Sequence, residues 1–137
     1  IWINVHLKGG KELGRKVAEE VVRRNRTHQA FLACGRAAAE GAREVCPEIL
    51  ICNMDRQGNS TAYVDDTIAR GCQFIQLVGL CSPEDMKRLK DAQVRVNYFG
   101  TNDAETLKKL FAAGVEFPLV DKVPEMMEAA REAGIVK

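Results

Sequence analysis

One pattern constrains this chain more than any other. Short apolar runs of strand length alternate, without interruption, with stretches whose apolar residues recur at helical spacing. The runs at 1–7, 28–33, 48–52, 73–78, 94–99 and 115–120 read as strands. The stretches at 12–24, 36–46, 62–70, 82–91, 102–113 and 124–133 read as helices. The first helix shows an apolar stripe of Leu13, Val17, Val21 and Val22, and the second is rich in alanine. Punctuation supports the boundaries. Ser82-Pro83-Glu84-Asp85 is an N-cap, a proline at the first helical position and two acids in the first turn. Asn102 or Asp103 caps the next helix, and Gly71, Gly114 and Gly134 end helices.

Strict strand–helix alternation with apolar strands predicts an α/β fold, a parallel sheet covered by helices. About six βα units follow one another with short connections. An open doubly wound sheet would accommodate six strands, whereas a (β/α)8 barrel needs two further units. Periodicity alone does not choose between them. The 137 residues suit a single domain over 1–137. The chain opens on Ile1-Trp2-Ile3-Asn4-Val5, inside an apolar run, as a fragment cut within a strand would.

Charge narrows the partners. With 20 Lys+Arg against 19 Asp+Glu the net charge is +1, which argues against a nucleic-acid or anionic-membrane footprint. No apolar run reaches the length of a membrane span. Five cysteines cannot all pair, and none lies in a CxxC pair or at zinc-ligand spacing. They read as buried apolar side chains in a reducing compartment, which points to the cytoplasm unless an export signal lies upstream. Asn59-Ser60-Thr61 matches a glycosylation sequon, informative only in a secreted eukaryotic protein.

In either closure ligands bind where strands pass into helices at their C-terminal ends. His6, Lys8, Cys34, Asn53, Asp55, Arg56, Gln57, Gln76, Asn97, Phe99, Thr101, Asn102, Asp121 and Lys122 fall there. His6 and Lys8 are the sharpest pair. Alternation places them on one strand face, in a polar column with Asn4. A histidine there serves as metal ligand or acid/base, and a lysine holds a phosphate oxygen. The competing reading is a satisfied core histidine and a lysine extended to solvent. Gln76 interrupts the apolar run of its strand, another polar group near a strand end. No GxGxxG or GxxxxGK[ST] phosphate loop occurs, which weakens the open nucleotide-binding fold. His28 precedes its strand at the opposite end and reads as structural.

The stretch Val94-Arg95-Val96-Asn97-Tyr98-Phe99-Gly100-Thr101-Asn102-Asp103-Ala104-Glu105, with Gly114-Val115-Glu116 and Val120-Asp121-Lys122-Val123-Pro124 after it, resembles the C-terminal part of the glycerophosphodiester phosphodiesterase family. That family ends on a valine-rich strand running into Trp-Thr-Val-Asn. Its third barrel strand reads apolar-Asn-x-Glu-x-Lys, which Ile3-Asn4-Val5-His6-Leu7-Lys8 resembles. The resemblance implies an incomplete (β/α)8 TIM barrel comprising strands three to eight. It implies hydrolysis of small-molecule phosphodiesters with a divalent metal ion, calcium or magnesium. The family's His-Arg-Gly, Glu-x-Asp and His-Asp motifs are absent and would all precede Ile1.

Lys8 matches the motif's lysine, as catalytic and substrate-binding residue. His6 stands where the family has a glutamate ligand, and a histidine suits zinc or iron-type ions better than calcium or magnesium. Phe99-Gly100 replaces Trp-Thr, so Phe99 becomes an aromatic wall beside the substrate, with Gln76 also lining it. Two other readings stand beside this one: a non-catalytic phosphoester- or metabolite-binding barrel, and a carbonyl-acid lyase or aldolase with Lys8 as Schiff-base residue. The open sheet edge along 1–7 is expected to self-associate.

Overall fold

The alternation becomes six strands and six helices in strict succession. In chain order they are β1 (Ile3–His6), α1 (Lys11–Arg23), β2 (Ala30–Cys34), α2 (Arg36–Val45), β3 (Leu50–Asn53) and α3 (Thr61–Ala69). Then come β4 (Phe74–Leu77), α4 (Pro83–Asp91), β5 (Arg95–Tyr98), α5 (Ala104–Ala112), β6 (Phe117–Pro118) and α6 (Val123–Glu132). The structure is a computed structural model and describes residues 2–136, so the part of the first expected strand that falls on Ile1 lies outside the described residues.

All strands pair in parallel, and their order in the sheet is their order in sequence. A doubly wound sheet reverses its strand order at a switch point; this sheet never does. It curls instead. Trp2, just before β1, meets Phe74 of β4 edge-on at 5.5 Å between ring centroids. The Arg95 guanidinium of β5 lies 5.3 Å from the Trp2 ring centroid. In a flat sheet β1 and β5 would stand four strand spacings apart, roughly 19 Å. The six strands therefore form a curled half-barrel, an incomplete TIM barrel.

Side chains alternate between its two faces. The outer face carries Leu32, Ile51, Ile75, Leu77 and Val96 beneath the helices, in two buried clusters. The inner face carries Phe31, Ala33, Cys52 and Phe74, packed with Leu50, Met54 and Phe117. At the start of the strands Phe31 stacks on Phe74 at 4.2 Å, and Phe74 meets Phe117 at 5.9 Å. With Trp2 and Arg95 these rings make a floor under the half-barrel.

Two expectations shift. The stripe on α1 is rotated: Leu13 and Val22 are exposed, while Gly14, Ala18 and Val21 are buried. The cause is α2, which packs on α1 through Ala38, Ala39, Gly41 and Ala42, so the small residues face each other. The last strand shrinks from six residues to two, because Pro118 has no N–H for a longer ladder. No helix among the described residues is long and apolar enough to cross a membrane.

Candidate functional site

The mouth is the rim where the strands end, and its loops are tied to one another in neighbouring pairs. Gly35 caps α2 without a side chain of its own. Asp55, from the loop after β3, supplies the missing acceptor and takes the Arg36 N–H at 2.6 Å. Asn59 Nδ2 donates to the Leu80 carbonyl at 3.1 Å, and Val78 N donates to Gly58 O, joining the loops after β3 and β4. Gly79 holds φ +82°, and a Cβ there would lie 3.0 Å from Asn59 Nδ2, so the join needs glycine. Thr61 Oγ1 donates to Asp85 at 2.7 Å, linking α3 to α4. Asn102 Oδ1 accepts the N–H groups of Asp121 and Lys122 at 2.8 and 3.0 Å, joining the loops after β5 and β6. Asp103, rather than Asn102, caps α5 by accepting Thr106 N at 2.8 Å. A hydrogen bond from the Thr106 side chain, and then that N–H bond, hold its carboxyl below the usual aspartate range.

Behind β3 lies a polar knot. Asn53 is fully buried and points outward, under α3. Its Nδ2 donates to Thr67 Oγ1 at 2.9 Å and Asp66 at 3.1 Å; its Oδ1 accepts from Asp55 N and Arg70, both at 2.9 Å. Arg70 also reaches Asp55 at 2.8 Å and Asp66 at 3.1 Å. Asn53 and Asp55 therefore hold the rim together. Burial alone would raise the Asp66 carboxyl, but hydrogen bonds from Arg70 and Asn53 pull it below its ordinary value. Tyr63 donates to the Asn53 carbonyl with the Gln76 carbonyl 3.1 Å away, bridging β3 and β4 from behind.

The inner face carries the residues that remain. Gln76 and Asn97 are register partners on β4 and β5, both buried. His6 lies opposite Ala33 in the β1–β2 register, with Lys8 just beyond the strand; both side chains are exposed. Phe99 follows β5 and is 60% exposed, an aromatic face open to solvent. The four candidates thus all lie at the rim or on the inner wall. They are not a single cluster: His6 and Gln76 are three strand spacings apart, roughly 14 Å along the sheet.

All five cysteines are buried and free. Burial, then the neighbouring Cys72, pushes the Cys34 thiol up to about 12, which disfavours the thiolate. Among the described residues no three His, Cys, Asp or Glu side chains converge to hold a metal ion. His6 supplies a single donor, whereas the site of a divalent cation takes several.

Two features escaped the sequence. Trp2 and Arg95 belong to the floor, which only the curl reveals. Asn97, at 1% exposure, has a buried Oδ1 without a hydrogen-bond partner. A polar residue at an inward strand position was the available signal, but its missing partner is a matter of geometry.

The fold defines the class: a half-barrel of the TIM type with its rim at the strand C-termini. No family profile and no curated protein sequence matches the chain. Solved structures do. A protein assigned as a glycerophosphoryl diester phosphodiesterase of Silicibacter pomeroyi DSS-3 is similar at TM-score 0.82 and 16% identity, over 98% of this chain and 52% of that one. A glycerophosphodiester phosphodiesterase of Parabacteroides distasonis is similar at 0.68 and 13%, over 96% and 57%. One of Agrobacterium tumefaciens is similar at 0.64 and 13%, over 95% and 55%. The chain spans about half the length of these proteins and shares their fold.

Proposed function

We propose that the chain builds part of a phosphodiester-hydrolysing barrel and contributes the phosphate-contacting side of its mouth. The observation that supports this most directly is the placement of Lys8 at the rim of a half-barrel whose fold is shared with glycerophosphodiester phosphodiesterases. In this reading Lys8 draws a phosphoryl oxygen and offsets the charge that grows in the transition state. Phe99 gives the alcohol part of the substrate an apolar wall. Gln76 positions it by hydrogen bonding. His6 is one donor toward a divalent ion, calcium or magnesium as the resemblance implies, zinc or an iron-type ion as an imidazole prefers. Such an ion would polarise the phosphoryl group when bound. Its other donors are not among the described residues.

Glycerol 3-phosphate titrated into the 137-residue chain tests this. Binding is expected in the millimolar range, weakened about fivefold or more in Lys8→Met, since a charge-assisted contact is lost. Hydrolysis of bis(p-nitrophenyl) phosphate by this chain alone, with magnesium, calcium or zinc, is expected to be undetectable. Robust turnover would overturn the divided site. Absent binding, or equal binding by Lys8→Met, would remove Lys8 from the phosphate. Borohydride trapping of a carbonyl acid on Lys8 would favour a Schiff-base lyase instead.

The β1 edge carries a second expectation. Trp2 and Ile3 are 36% and 39% exposed beside an unpaired strand edge. The chain is expected to self-associate with rising concentration, and Ile3→Lys to reduce this, because an edge charge resists strand pairing. Sedimentation showing a clean monomer at high concentration would remove this partner.

A further inference from the structure

Neighbouring helices on the outer face are joined, with one exception. α1 packs on α2, α3 on α4 and α5 on α6. Between α2 and α3, Arg43 donates to the Arg70 and Gly71 carbonyls at 2.8 and 2.9 Å, and Arg36 pairs with Asp66 at 2.6 Å. Among the described residues no side-chain hydrogen bond or ion pair links α4 to α5. A groove of about 640 Å³ separates them, at the end of the strands opposite Lys8 and Phe99. It lies behind β5, which is hydrogen-bonded to β4 on one side and β6 on the other, so strands added at β1 or β6 would not enter it. The sequence keeps it open. Ala112, Ala113 and Gly114 are too short to reach α4, and the Met86 Cε stands 3.7 Å from where a Cβ on Gly114 would lie. Val94 and Val96 make an apolar floor. The charge on the walls is unbalanced: Lys87 is matched by Asp91 at 2.6 Å and Arg95 by Glu116 at 3.8 Å, while Lys90 has no carboxylate partner among the described residues.

We propose that this groove binds a small monoanion with a flat apolar body, of the aromatic carboxylate class, whose carboxylate faces Lys90 while its ring fills the space between Met86 and Ala112. Three observations select this occupant. One unmatched cation, exposed and free to meet a ligand, calls for one negative charge. A polyanion is disfavoured, because Glu116 lines the groove and the C-terminal ends of α4 and α5, which carry partial negative charge, border it. The volume falls within the roughly 300–1,000 Å³ of small-molecule sites, and the apolar floor offers nothing to replace the hydration of a wholly polar guest.

The test compares 2-naphthoate with 2-naphthamide, of the same shape but uncharged, followed by backbone amide NMR of the 137-residue chain. Naphthoate is expected to move the Ala112, Ala113 and Gly114 resonances saturably. At low salt it should bind roughly three- to fivefold tighter than the amide, the effect of one part-exposed ion pair. In Lys90→Gln, at an exposed helical position, the two should bind alike. Ala112→Phe fills the groove and should abolish both. No saturable shift at these amides, shifts confined to Trp2 and Phe117, or equal affinity of acid and amide for the unmodified chain would each overturn the proposal. So would a preference surviving in Lys90→Gln, or undiminished binding by Ala112→Phe. The comparison on the unmodified chain decides the matter even if a variant does not fold.

Discussion

Gly14→Ala is expected to destabilise the chain by about 2–4 kcal/mol, against the ordinary rule for a helix interior. In an unencumbered helix, alanine is better than glycine by nearly 1 kcal/mol. Here a Cβ on Gly14 would lie 1.9 Å from the carbonyl oxygen of Ala38, and one on Gly41 would lie 2.1 Å from that of Lys11. Both obstacles are backbone, so no rotamer relieves them. Helices α1 and α2 would have to part, loosening Ala18, Ala38 and Ala42, which are completely buried. Gly10 is the control. It is the N-cap of α1, in extended geometry, with nothing near its Cβ position. Gly10→Ser should gain a few tenths of a kcal/mol through the cap bond. Urea melts of the two variants should move in opposite directions; a Gly14→Ala melt at or above that of the unmodified chain would show that the helices adapt.

Asn53→Leu is expected to cost about 3 kcal/mol, although a leucine is apolar and of similar size. The amide satisfies Asp66, Thr67, Asp55 N and Arg70 at once, and no solvent replaces it at a fully buried position. The same knot sets an acid limit. The native Asp66 carboxyl lies below its unfolded value, so its contribution is complete above the unfolded value near 3.9. It is lost as the pH falls through the lower native value. Asp103 and Asp85, both likewise lowered, act in the same sense, led by bonds from Thr106 and Thr61. Stability should therefore decline below about pH 4. Asn53→Leu should unfold at higher pH than the unmodified chain, followed by circular dichroism. An unchanged acid midpoint would mean the knot carries no linked protons.

The element order was readable from periodicity because each strand and helix is short, amphipathic or wholly apolar, and marked at its ends. Ser82 accepts Asp85 N at 3.1 Å, as its motif predicts. What periodicity lacks is the third dimension. It weighed Leu13 and Val22 by hydropathy, whereas the α1–α2 contact is decided by how closely two backbones approach at Gly14 and Gly41. It placed Asp55 at a rim without telling that its carboxylate faces the start of α2, nineteen residues back. The rim positions of His6, Lys8, Gln76 and Phe99 follow from alternation along their strands. The approach of Trp2 to Arg95 does not, since it depends on the sum of twists across the whole sheet.

That approach determines how the half-barrel keeps its shape. A complete barrel is held round by the hydrogen bonds between its first and last strands. Here β1 and β6 are not bonded to each other, and the arc is drawn together by Trp2, Phe74, Phe117 and Arg95 at its narrow end. The aromatic floor works as the keystone of an open arch. The span between His6 on one pillar and Phe99 near the other is thus set by side chains packed at the far end of the strands, not by the loops that carry the rim.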